Sequence, residues 1–152
     1  MTKVKYLLAL LAAATATLVA VVVLADARAA EKEKAMGLRL VMQELGRDMQ
    51  AVAGAISKED WAMVAKLAPE IGRHAQPPAM EKMRIIKWVG KDAGQFRALD
   101  ARVGQAADDM AAAASRGDGA ETIRAFADVQ QACLACHTQF RKPFVKHFYQ
   151  RP

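Results

Sequence analysis

Residues 120–148 read AETIRAFADVQQACLACHTQFRKPFVKHF, and Ile123, Phe126, Val129, Cys133, His137, Phe140, Phe144 and Phe148 recur along them in steps of three and four. That spacing marks a helix with one face turned to a core. Within the stripe lies CLACH at 133–137. Two cysteines three apart, with histidine directly after the second, form the attachment signature of a c-type haem: both thiols add to the haem vinyl groups and the imidazole ligates iron. On a helix, residues i, i+3 and i+4 share one face. Cys133, Cys136 and His137 therefore reach the same macrocycle, and Pro143 is expected to interrupt the last turns of the helix.

Three plainer readings compete for the cysteine pair. A thioredoxin-like redox pair belongs at the start of a helix after a strand, whereas the residues upstream of Cys133 already read as helix. A tetrahedral zinc site needs a second ligand pair; the chain has two cysteines in all, and His74 and His147 are not spaced as a pair. A chance pair in the core leaves the adjacent histidine without a purpose.

Part of the 152-residue chain is not domain. Lys3 and Lys5 precede an apolar stretch from Tyr6 to Leu24, and the small-residue string ADARAA follows. This is a secretory signal over residues 1–29, with Ala27, Arg28 and Ala29 as the A-x-A cleavage site. An uncleaved anchor is the alternative, since the stretch approaches the roughly 20 residues that span a bilayer. Export places the domain, residues 30–152, in the periplasm, with membrane contact only if the leader stays on. Losing the leader removes three positive charges and one negative, so the formal +6 falls to +4. Such a balance is too mild to argue for nucleic acid.

The remaining chain supplies three more helices. After the charged run at 31–34, Leu38, Met42, Leu45, Met49, Val52 and Ile56 keep the three-four alternation, predicting a first helix over 31–56. Ser57, Lys58, Glu59 and Asp60 read as the N-cap and acidic opening of a second helix, with Trp61, Val64, Ala68 and Ile71 inward and a kink or early end at Pro69. Gln76, Pro77 and Pro78 stop it. Residues 79–90 read as a short helix or a packed loop. Phe96, Leu99, Val103, Ala106, Met110 and Ala113 mark the third helix, closed by a glycine cap within Arg116, Gly117, Asp118 and Gly119. With almost no period-two alternation, the expected fold is all-α: an antiparallel four-helix bundle with a covalently attached haem on its last helix.

CLACHTQFRK and the first-helix stretch LVMQELGRDMQAVAGAISKED resemble the cytochrome c′ family. Its members are exported four-helix bundles carrying one haem c on the last helix, many of them homodimers. The first stretch is most similar to the low-spin branch, the cytochromes c-556, in which a first-helix methionine supplies the second axial ligand. Met42 matches that position, with Met49 and Met36 as runners-up; Leu38 and Leu45 would then wall the pocket. Methionine on a seam is otherwise ordinary core filling. Arg141 matches the family's arginine, which implies a propionate contact, against a plain surface salt bridge. His74 and His147 read as rim or surface residues. The basic residues Arg141, Lys142, Lys146 and Arg151 complement a helix C-terminus or steer an acidic redox partner protein. The resemblance implies a single-electron carrier with His137 and Met42 on iron; its alternative is a five-coordinate member binding NO or CO. No nucleophile, proton relay or substrate pocket points to an enzyme.

Overall fold

The computed structural model describes residues 37–149; the leader with its cleavage site, the run at 31–34, Met36 and Arg151 lie outside the described residues. Six α-helices follow one another: α1 Gly37–Ile56, α2 Trp61–Gly72, α3 Ala79–Val89, α4 Ala93–Ser115, α5 Gly119–Cys136 and α6 Lys142–Phe148. A 3-10 turn at Gly90–Asp92 joins α3 to α4, and a π-turn at His137–Arg141 joins α5 to α6. The described residues contain no strand.

Helices α1, α2, α4 and α5 form the bundle expected from the sequence, with α1 on α2, α2 on α4 and α4 on α5. The core is built of small and medium side chains: Val52, Val64, Ala68, Ile71, Ala107, Met110 and Val129 are fully buried. Each larger one contributes about 1.5–3 kcal/mol through burial. Small residues let α2 and α4 approach, since a Cβ at Gly72 would stand 3.3 Å from the Gly104 carbonyl oxygen. At one end Trp61 lies against Gly119, so the α1–α2 and α4–α5 connections share that end. The opposite end gathers the first turns of α1 and α4 and the last turns of α2 and α5.

Several boundaries differ from expectation for local reasons. The second helix is capped by Asp60, whose side chain accepts the Met63 N–H, and not by Ser57, whose hydroxyl donates to the Ala53 carbonyl and closes α1. Glu59 makes the turn between them at φ 55°, a region that glycine enters more readily. Pro69 does not end α2. It stands in the last turn, forfeits one intrahelical N–H, and its carbonyl accepts the Arg73 N–H. Residues 79–89 are helical, closed by Gly90 at φ 60°. The glycine cap expected after the third helix is Gly117 at φ 69°, and Asp118 then caps α5 by accepting the Glu121 N–H. On α5 the inward row is Thr122, Ala125, Val129 and Ala132, while Ile123 is exposed. A three-four pattern fixes a helical face only to within about one residue, and here α5 is turned by that much.

Candidate functional site

Cys133 and Cys136 stand in the last turn of an 18-residue helix, half-buried and not joined to each other. Cys133 packs against the edge of the core. Burial pushes both thiols above their ordinary value, and the Asp100 carboxylate adds to the effect at Cys136. Both are therefore neutral thiols at neutral pH. A thioredoxin-type nucleophile needs the reverse, a helix N-terminus that lowers the thiol pKa. Among the described residues no three His, Cys, Asp or Glu side chains gather as a metal site.

His137 follows at once, exposed at the first position of the π-turn. Its imidazole is held below the ordinary histidine value by partial desolvation and, secondarily, by the Arg141 charge. A neutral ring is the form that ligates a metal. The π-turn has a cause in the sequence. In a continuous α-helix, Pro143 would lack an N–H and press its ring on the Gln139 carbonyl. Widening the turn over His137–Arg141 relieves that contact, and Pro143 falls in the first turn of α6, where proline is tolerated.

Facing this end is the first half of α1. Its stripe divides in two: Leu45, Met49 and Ile56 pack on the bundle core, whereas Leu38 is half-buried and Met42 is 38% exposed. Helices α1 and α5 do not approach each other as closely as the three packed pairs do. Glu81 of α3 fixes the start of α1, its carboxylate oxygens accepting the Gly37 and Leu38 N–H groups at 2.7 and 2.8 Å. Arg39 lies over the Tyr149 ring, 5.7 Å from its centroid, and Met42 is the next residue on that side. The end that carries Met42 is thus the end that carries CLACH.

Other elements contribute groups to the same end. Phe96 of α4 meets Phe140 edge to face at 5.2 Å, and Trp88 of α3 packs on Phe144, His147 and Phe148. His147, read as a rim residue, is exposed but stacks on Trp88. His74 is more enclosed than a rim residue: its side chain is 12% exposed and bonds Asp100 Oδ1 at 3.1 Å. Arg141 is exposed beside His137 in the π-turn.

A family model described as Cytochrome C' matches residues 39–141, from the second described residue of α1 beyond Gly37 through the π-turn. The chain belongs to the cytochrome c′ family. Comparison with curated proteins and with solved structures gave no match. Membership in the cytochrome c′ family implies a covalently bound c-type haem. The residues present fit that group: two neutral half-buried thiols one helical turn apart, a neutral imidazole beside them, and an apolar half-stripe on α1 that the chain itself leaves partly uncovered.

Proposed function

We propose that this protein is a periplasmic one-electron carrier. Cys133 and Cys136 would hold a single haem c through thioethers, and His137 and Met42 would be the two ligands of its iron, as in the cytochromes c-556. A haem so ligated supplies an iron that passes between ferric and ferrous, with the thioether sulfur favouring the ferrous state. The chain's own part would be to fix the imidazole at the start of the π-turn, keep water off the macrocycle with Leu38 and with half-buried Leu45 at the edge of the core, and offer Met42 as a ligand. Arg141, one turn beyond His137, would meet a propionate. The leader that directs export is removed after Ala29, and the protein is not an enzyme.

The observation that carries this reading is Met42, a methionine left 38% exposed on the half-stripe of α1 that faces the CLACH end. Core filling does not account for it, because Met49 and Leu45 on the same stripe are the ones packed on the core. The test is the spectrum of ferric and ferrous holoprotein, with and without carbon monoxide. Wild type is expected to show the sulfur-to-iron charge-transfer band, and Met42→Ala to lose it and take up carbon monoxide readily. Wild type without that band, high-spin when reduced and binding carbon monoxide at once, would instead establish the five-coordinate gas-binding form.

A further inference from the structure

The described residues divide their charge unevenly. The segment 79–92, α3 and its 3-10 turn, carries Lys82, Arg84, Lys87 and Lys91, and the segment 137–148 carries Arg141, Lys142 and Lys146. All seven are exposed. Against them the two segments hold two acids, and both are withdrawn: Glu81 is spent on the backbone N–H groups of α1, and Asp92 is half-buried. The two segments thus sum to +5, while the other described residues, with nine Lys and Arg against eleven Asp and Glu, sum to −2. The segments also form one surface, because Trp88 of α3 packs on Phe144 and Phe148 of α6 and Arg84 lies over the Phe148 ring. At its centre the outer face of α3 exposes Met80 and Met83, 69% and 58% accessible, at helical spacing with Arg84 and Lys87.

We propose that this face, the outer side of α3 together with α6, is the docking surface for an acidic electron-carrier protein, with Met80 and Met83 as its small adaptable apolar centre. The proposal rests on the electron-carrier reading and adds where the partner sits. The π-turn that begins at His137 runs directly into α6, so a partner held here stands beside the haem-attaching turn. A patch of like charge over a limited apolar contact suits brief, fast encounters: long-range attraction raises the association rate, and a small interface lets the partner leave. An anionic membrane fits less well, since a surface-lying helix inserts a broad apolar face and the apolar residues Ile85 and Val89 of α3 are turned into the protein, 3% and 8% exposed.

The experiment follows reduction of the ferric holoprotein by flavodoxin hydroquinone, an acidic one-electron donor, in stopped flow across a range of salt. Lys82→Glu with Lys87→Glu is compared with Lys58→Glu with Lys66→Glu, which change the net charge equally but lie on the α1–α2 turn and on α2. The wild-type rate constant is expected to fall about tenfold between low and physiological salt. The α3 pair is expected to be about tenfold slower at low salt with a flattened salt dependence, and the control pair within about twofold of wild type. Equal slowing by both pairs, no slowing by either, or a wild-type rate indifferent to salt would overturn the proposal. So would an α3 pair that keeps the flavodoxin rate and loses only binding to phosphatidylglycerol vesicles. Failure of the electron-carrier reading shows elsewhere, as carbon monoxide uptake by reduced wild type.

Discussion

His74, just past the end of α2, reaches α4 through Nε2, which meets Asp100 Oδ1 at 3.1 Å, while Nδ1 meets the carbonyl oxygen of its neighbour Ala75 at 3.0 Å. Two acceptors suit the doubly protonated ring. The bond to Asp100 raises the His74 pKa above its ordinary value, with burial working against it. A group whose pKa is raised by folding contributes stability that is complete below its unfolded value and is lost as pH climbs through the folded one. Asp100→Asn should therefore destabilise the holoprotein most below the ordinary histidine value of about 6.5, by about 0.5–1 kcal/mol because Asp100 is half exposed, and progressively less as pH rises through the raised value. Urea unfolding across that range checks it; a gap that widens with pH contradicts it. Two glycines make a second contrast. A Cβ at Gly119 would stand 2.7 Å from Cζ2 of Trp61, whereas one at Gly104 would meet nothing nearer than the Gly72 carbonyl oxygen at 3.7 Å. Gly119→Ala should cost about 1–3 kcal/mol by displacing the indole. Gly104→Ala, inside α4, should gain about 0.5–1 kcal/mol from helix propensity. Denaturant midpoints at unchanged slope should move in opposite directions.

Among the elements, those with a long apolar period were legible and the short ones were not. The four bundle helices follow from the repeats around Val52, Ile71, Met110 and Val129, because each turns three or more side chains to the core and that repetition leaves its signature in the sequence. Helix α3 is too short for that, and its inward residues Ile85 and Val89 make one pair. Pro143 announced a break in the last helix but not its form: a π-turn depends on how α6 is held once the register slips. What holds α6 is Trp88, stacked on His147 at 5.7 Å and edge to face with Phe144 at 5.7 Å. Helix α6 has no buried residue and is only seven residues long, so it lacks the means to persist alone. Trp88→Ala should then weaken α6 by about 2 kcal/mol, roughly thirtyfold faster amide exchange over 142–148, while amides around Met110 and Val129 keep their protection. Equal loss in both regions would mean that Trp88 supports the bundle as a whole.

Across the molecule, the packed core leaves the first half of the α1 stripe partly uncovered. Val52, Val64, Met110 and Val129 are fully buried, whereas Leu38 and Met42 are not. CLACH stands out in the sequence because covalent chemistry prescribes its spacing, whereas Met42 is singled out only by its match to a family pattern. Glu81, Asp100 and Trp88 do not stand out, since they reach the site from separate elements, Glu81 touching a residue 44 positions away, and no local rule encodes such a meeting. The same division predicts how the protein responds to loss of its cofactor. With Cys133→Ser and Cys136→Ser no thioether forms, and the half-stripe of α1 loses the surface it would cover. The distal half keeps every contact it has, because the packing of α2 on α4 and of α4 on α5 involves neither Leu38 nor Met42. The double variant should keep most of its helical circular dichroism and the protection of amides near Val64, Met110 and Val129. Exchange should rise steeply over 37–45 and 133–141, and overall stability should drop by several kcal/mol, on the order expected when a tightly held ligand is withdrawn. Hydrogen exchange read by mass spectrometry separates the outcomes: protection lost evenly along α2, α4 and α5 would show that the bundle core cannot form without the cofactor.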